Sequence, residues 1–572
     1  MVVHVVRPRV RSRGPSRVRH MMTRATNRFT LCLVTALCVA VSRARAERTC
    51  SLADETARAA VATALGSRGF DVESGDVWMF NFDALPPSCT DCGNANPAST
   101  YGCPRFANEQ FRERGRGSSS RRRVETSARA RPRRDGSETA SGRARAVDDV
   151  SDTLPRLDAP NIDLARLGAT SRDVIPMTCE WPLREDDVVV LYGCVPSRMK
   201  YFALTPYLYR LGVSGTLVFA SLGDSLSMAE NDDVGAFTRL STSASPNVAP
   251  GTFLRMQSAP WHASFGFVFG RNRALVERAA SVLRARDIEA NVFGVAAPPQ
   301  PESTFTMLFR GAVPANASQW KAWTSSPPMT ALRLTPTSIT PMDPYTRSTP
   351  LLARQTVDET PLTRARDALV SAVRAHVAST PGETSSASPS PRPQFVSDSS
   401  SACVLASLNC AGDNRDTNYI RSTSFTLSSM DDIVYAVGAS HAETSNAHYM
   451  SLALYSRRRR LAVVSVEDDV FRRSALAWLP PQDASDAAKL YVVAFARDCA
   501  RHVVPGGAPC VDVPRDDAFP GVALDESIEL WERPYCAYDT TIGPWWPQML
   551  LPTLVRAVPA SSNFFSSLFS SF

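Results

Sequence analysis

Residues 217–227 read Leu-Val-Phe-Ala-Ser-Leu-Gly-Asp-Ser-Leu-Ser, an apolar run that enters a turn and presents Ser225 beyond it. A serine placed in this way can act as a nucleophile if a neighbouring base takes its proton, because an unactivated hydroxyl attacks poorly. The string also has an ordinary local use, with Gly223 making the turn and Asp224 or Ser225 capping the segment that follows. A second polar concentration runs from Cys410 to Tyr419 and resumes, after one strand, from Gly438 to Tyr449. If both loops meet at one end of a sheet, Asp413, Asn414, Asp416, His441 and His448 bring together carboxylates, an amide and two imidazoles suited to acid/base work or metal ligation. The competing reading is structural: Asp413 and Asp416 pair with Arg415 or accept from backbone donors in a tight loop.

Other chemistry has less behind it. Cys89-Thr-Asp-Cys92 with Cys103 has zinc-like spacing, but no His lies between His20 and His262 and a structural zinc wants four ligands. No metal is expected. Neither a Walker-type phosphate loop nor a Gly-x-Gly-x-x-Gly fingerprint occurs, so no nucleotide or other cofactor is expected. The aromatic segment from Trp531 to Trp546 could stack on a sugar, or could pack as a C-terminal flap.

The elements that must position these residues show in the hydrophobic periodicity. A helix is expected over Leu52–Leu65. From about residue 171, strand and helix signals alternate, with a β-branched run at 187–191, a helix at Ala203–Leu211 and an apolar run at 215–220. Phe265–Phe269 reads as a strand, Asn272 as the cap of a helix with Leu275, Val276, Ala279, Val282 and Leu283 on one face, and Asn291–Val295 as a returning strand, which is a βαβ signature. Strands are expected at 304–309 and 332–334 with a short helix between them. Thr360 as N-cap and Pro361 in the first turn open a further helix carrying Leu362, Leu369, Val370, Val373 and Val377 on one face. Strands at 432–437, 449–455, 461–466, 490–495 and 527–531 make the last third β-dominated. The expected fold is α/β, a mixed sheet with flanking helices and a β-rich C-terminal part. The expected segments are a leader at 1–46, a small Cys-bearing segment at 47–110, a disordered Arg-rich insertion at 111–148, an α/β part at 171–377, a Ser/Pro-rich linker at 378–401 and a β-rich part at 402–557, packed with the α/β part.

Charge divides along the same lines. The chain of 572 residues has a formal net charge of +7. Ten arginines and no acid fall in 1–46, and twelve arginines against five acids in 111–148, which leaves −10 for the remainder. The folded body is therefore acidic, and nucleic-acid binding is disfavoured. Sixty arginines stand against Lys200, Lys321 and Lys489 alone, a bias that reflects base composition and makes arginine weak functional evidence.

The apolar stretch Phe29–Ser42, followed by Ala44-Arg-Ala46, reads as a secretory signal cleaved after Ala46, too short for a permanent span. The Arg-rich stretch before it is an extended n-region, an upstream extension ahead of Met21 or Met22, or a transit peptide for a plastid and thylakoid lumen. The mature chain is expected to have no stable membrane span and to reside in an oxidising compartment. Eleven of the thirteen cysteines lie beyond the leader, and local bridges are expected at Cys179–Cys194, Cys403–Cys410 and Cys499–Cys510, with Cys50 joining Cys89, Cys92 and Cys103. Asn316-Ala-Ser318 is a glycosylation sequon. The tail from Asn563 to Phe572 reads as a frayed terminus.

Two resemblances add to this reading. Gly223-Asp-Ser225 in its strand–turn context resembles the first block of the SGNH (GDSL) hydrolases, secreted esterases and lipases in which that serine is the nucleophile. Gly412-Asp-Asn414 loosely resembles their Asn block. Their late Asp-x-x-His block is missing: no Asp stands three residues before His441, His448 or His502. Over about 180–545, the strings Cys179-Glu-Trp-Pro182, Tyr201–Tyr207, Phe219–Ser225, Asn409–Thr417 and Val434–Gly438 with His441 resemble a family of uncharacterised extracytoplasmic proteins of algae, oomycetes, fungi and bacteria. That resemblance implies a shared fold and no particular reaction. The expectation is a secreted, disulfide-stapled globular protein that binds an extracellular ligand; the alternative is an ester hydrolase using Ser225, or a hydrolase using the Asp413–His448 loops.

Overall fold

The computed structural model describes residues 50–80, 99–107 and 177–559 except 224, 231–236, 241–263, 297–299, 346–356, 381–382, 388–391, 396–403, 411, 519 and 537–541. The leader, the Arg-rich insertion, the C-terminal tail, Cys89, Cys92, Asp224 and Cys403 lie outside these residues. The fold is mixed α/β and sheet-rich, with two further sheets in the C-terminal part.

The N-terminal part is one large curled sheet. Across it the strands run Glu289–Gly294, Ser264–Gly270, Val188–Cys194, Met329–Pro336, Phe70–Phe80, Ser99–Ala107, Thr304–Pro314, Met199–Leu211, Leu226–Glu230 and Phe237–Leu240. Only the first two pair in parallel, around the helix Arg273–Arg284, as the βαβ pattern predicts. The curl is made by Phe70–Phe80, whose residues 70–75 pair with Met329–Pro336 and 76–80 with Ser99–Ala107. Gly75 stands at the changeover, where a Cβ would lie 2.3 Å from the Arg105 carbonyl oxygen. The two halves close over a core of Trp181, Leu191, Leu204, Phe267, Phe269, Phe305 and Phe309. On the outer face, Val188, Val190, Tyr192, Leu332 and Leu334 pack against Arg273–Arg284 and the helix Glu55–Ser67.

The C-terminal part is a sandwich. One sheet orders Glu383–Ala387, Thr553–Pro559, Ile433–Ala439, Leu490–Ala496 and Cys510–Asp512; the other orders Arg392–Phe395, Tyr419–Arg421, Ile528–Tyr535, Tyr449–Ser456 and Leu461–Glu467. Alternate residues fill the space between them, including Val434, Ala436, Leu452, Leu454, Val493, Phe495 and Leu530. The helix Thr363–Ser379 covers the outer face of the first sheet through Leu369, Val370, Val373 and Val377.

Four expectations are corrected. Ala203–Leu211 is strand, not helix: Met199–Leu211 pairs with Thr304–Pro314 along most of its length. The segment 378–401 is more than a linker, since it contributes an edge strand to each sheet of the sandwich. Thr360 is not the helix cap; its backbone N–H and hydroxyl both donate to Asp358 at 3.0 Å. Cys179 and Cys194 do not bond each other: Cys179 bonds Cys103, and Cys194 bonds Cys50, which therefore has no part in a knot with Cys103. Two linked pieces of a curled sheet are thus tied across 144 and 76 residues. The expected Cys499–Cys510 bridge is present.

Candidate functional site

The residues singled out from the sequence are set within two buried networks. Ser225 lies at the start of Leu226–Glu230, fully buried, and its Oγ is 2.6 Å from Thr205 Oγ1. Thr205 accepts from Arg310 Nη2 at 2.5 Å, and Arg310 pairs with Asp416 at 3.5 Å. Tyr201 donates to the same Asp416 oxygen. Burial, then the carboxylate of Asp416, hold the Tyr201 phenol well above its ordinary pKa against the pull of Arg310. Ser225 and Asp416 therefore share one hydrogen-bonded chain, with no imidazole in it.

Asp413 and Asn414 have structural partners. Asp413 accepts from the Ser221 backbone N–H at 2.9 Å and from its hydroxyl at 3.1 Å, and Asn414 Nδ2 donates to Tyr419 Oη at 2.8 Å. Backbone bonds from Cys410 to Val218 and from Gly412 to Phe219 fix this loop on the strand Thr216–Ser221. The two loops are bridged by the main chain of a third segment: the Cys536 N–H donates to the Asp416 carbonyl while the Cys536 carbonyl accepts from the backbone N–H of the half-buried His448.

His441 faces the opposite way, into the sandwich. Its Nδ1 donates to Glu359 Oε1 at 2.9 Å, and its Nε2 faces Glu532 Oε1 at 3.5 Å, an ion-pair distance rather than a good hydrogen bond. Burial opposes the charged ring, but the two carboxylates outweigh it and raise the pKa to about 10. Glu359 is held below the usual carboxylate range in spite of its own burial, by His441 and by donors from Thr444 and the Leu550 backbone. Tyr491 Oη donates to Glu532 at 3.0 Å. Among the described residues, His441 is thus a buried strut between two carboxylates and reaches no serine. Glu359 and Glu532 could not be foreseen: one precedes a helix and the other occupies an inward strand position ordinarily apolar.

The arrangement best suited to a ligand lies on the outer face of the second sheet. Strand alternation puts Glu529, Trp531 and Arg533 on this face. Arg533 sits over the rings of Tyr419, Tyr455 and Trp531, and Trp531 stacks on Tyr455 at 4.5 Å, so Trp531 packs rather than presenting a sugar platform. Beyond Glu529 comes the hairpin turn Arg457-Arg-Arg-Arg460, with Arg421 beside it. Glu529 pairs with both Arg421 at 3.3 Å and Arg457 at 2.9 Å; Glu526 pairs with Arg458 at 3.1 Å. Arg459 Nη1 bonds the Gly521 carbonyl at 3.0 Å. The side chains of Arg457 and Arg458 are 52% and 65% exposed. Partial burial and the nearby Arg457 and Arg460 pull Arg421 below its ordinary pKa, against the opposing carboxylate of Glu529. Five guanidinium groups with two paired carboxylates make a cationic patch on an acidic body. A run of four arginines is the signal in the sequence; the arginine-rich composition hid it.

No family model matches the chain, and no curated protein matches it. Among solved structures, the VPA0106 protein from Vibrio parahaemolyticus is similar over 66% of this chain and 87% of its own, at 12% identity and a TM-score of 0.29, a likeness that carries no argument.

Proposed function

We propose that the chain is a secreted binding protein that takes a polyanionic extracellular glycan at Arg421 and the Arg457–Arg460 turn. The disulfide-stapled globular body and the lack, among the described residues, of a helix long and apolar enough to cross a membrane are compatible with that compartment. The resemblance to extracytoplasmic proteins points the same way. The observation that carries the reading is the sharing of Glu529 and Glu526 among Arg421, Arg457 and Arg458, with Arg459 and Arg460 adding charge that no carboxylate among the described residues pairs. Guanidinium forks suit sulfate and carboxylate groups.

Retention on immobilised dextran sulfate tests it. Arg457→Ser/Arg458→Ser/Arg460→Ser should elute at clearly lower salt than the native chain, whereas Arg364→Ser/Arg374→Ser, on an exposed helix face of the other sheet, should elute unchanged. Equal elution of all three proteins rules the patch out. Binding to phosphatidylserine vesicles without retention on dextran sulfate would transfer the surface to a membrane.

A second reading, ester hydrolysis through Ser225, has only the turn position of that serine and its bond to Thr205 in its support, since Ser225 is fully buried and Arg310, a donor only, cannot relay a proton to Asp416. Its test is hydrolysis of p-nitrophenyl esters by the native chain and Ser225→Ala. Activity in the first and none in the second would establish it.

A further inference from the structure

The sequon Asn316-Ala-Ser318 opens the helix Ala317–Ser325, and all three of its residues are exposed. Asn316 is the N-cap, with extended backbone (φ −136°, ψ 104°), and its Oδ1 accepts from the Gln319 N–H at 3.0 Å. A side-chain amide is planar, with Oδ1 and Nδ2 on opposite sides of Cγ. Pinning Oδ1 over the first turn therefore turns Nδ2 away from the helix, and among the described residues Nδ2 has no hydrogen-bond partner. The inner face of the helix is sealed by the stacked pair Trp320 and Trp323. Among the described residues, nothing covers this end of the helix, where 315–319 are all exposed.

We infer that Asn316 carries an N-linked glycan and keeps its capping role while doing so. In the step, Nδ2 attacks C1 of the first sugar of a polyprenyl-pyrophosphate-linked oligosaccharide. The C1–O bond to pyrophosphate breaks and lipid pyrophosphate leaves, an N–C1 bond forms, and Nδ2 gives up one proton. The amide becomes secondary and its Oδ1 remains an acceptor, so the bond to Gln319 survives. Glycan attachment and helix capping use different atoms of one side chain, and this allows both at the exposed start of a helix.

The inference rests on the secretory route proposed above, and one experiment separates the two. The full chain is expressed in a eukaryotic secretory host and mapped by peptide mass spectrometry from medium and cell lysate. The expected result is a mature N-terminus at Glu47 and a 316-containing peptide shifted by hexose-rich mass, which a peptide-N-glycosidase converts to aspartate at 316. Ser318→Ala and Asn316→Asp should both lose the shift and unfold at the temperature of the enzymatically deglycosylated protein, because each retains a capping oxygen. Asn316→Gln, which loses both glycan and cap, should unfold at a lower temperature. A mature N-terminus at Glu47 with unmodified Asn316 overturns the glycan alone. An intact leader on protein confined to the cytosol overturns the secretory route with it.

Discussion

At the scale of single residues, burial decides what a polar group can do. His441 is enclosed in the sandwich between Glu359 and Glu532, and its pKa of about 10 lies above the ordinary 6.5. A group whose pKa rises on folding stabilises the fold fully below its unfolded pKa, and the contribution is lost as pH rises through the folded value. Urea midpoints of the native protein should therefore decline between about pH 6.5 and about pH 10. His441→Gln should remove that slope and lower stability by about 3 to 5 kcal/mol, because two buried carboxylates are then left without their counter-charge. An equal pH slope in both proteins would show that the imidazole is not charged in the fold. The same scale explains why a structural role for the nominated groups was legible but their partners were not. The sequence places Asp413 in a loop, as expected, but its partner Ser221 lies 192 residues away and Tyr201 lies 215 from Asp416. No local spacing encodes those meetings.

Among the elements, what could be read depended on whether one face stays in water. The helix Arg273–Arg284 has six buried residues on one side and arginines on the other, so its period is visible, and its cap is real: Asn272 accepts from the Ala274 N–H at 3.1 Å. Met199–Leu211 is buried on both faces and has no alternation to display, and its apolar run with Pro206 imitates a short helix. Pro206 is tolerated there because it still offers its carbonyl, which accepts from Leu222. Disulfide pairing failed for a related reason: Cys179 and Cys194 are near in sequence, but Cys179 bonds the distant strand Ser99–Ala107 and Cys194 bonds Cys50, ahead of the first helix. In the chain-entropy account longer loops restrict the unfolded state more. Replacing Cys50 and Cys194 by Ala should therefore lower stability by roughly 4 to 5 kcal/mol, against about 3 for Cys499 and Cys510, whose separation is 11. Urea midpoints of the two double variants give the comparison. A larger loss from the Cys499/Cys510 pair would mean that strain relief or residual structure, not loop length, governs these bridges.

For the whole molecule, the join between the curled sheet and the sandwich combines a small apolar cluster with many directional bonds. Tyr201 lies against Tyr535 at 4.7 Å, the 410–418 loop is bonded to Thr216–Ser221, and Lys200 of the N-terminal part reaches Asp468 at 3.2 Å and Asp469 at 2.6 Å in the C-terminal part. So many directional bonds across one boundary predict that both parts unfold together. Asp413→Ala leaves the buried Ser221 N–H and hydroxyl without that acceptor and should cost about 1 to 3 kcal/mol per stranded donor. A calorimetric trace that splits into two transitions in this variant, from one in the native chain, would show that the loop couples the parts. Asp468 gives the boundary a pH dependence of the same sign as that of His441, in a more acidic window. Burial raises its pKa from 3.8 to about 6, against the attraction of Lys200. The folded state therefore takes up a proton more readily than the unfolded chain, and this group's contribution becomes more favourable as pH falls from about 6 towards 3.8. Asp468→Asn keeps an acceptor for Lys200 without burying a charge. It should match or exceed the native protein at neutral pH and flatten the melting temperature between about pH 4 and about pH 6. A variant less stable at neutral pH would mean that the attraction of Lys200 outweighs the desolvation of Asp468, and that the boundary is held by its charges rather than in spite of them.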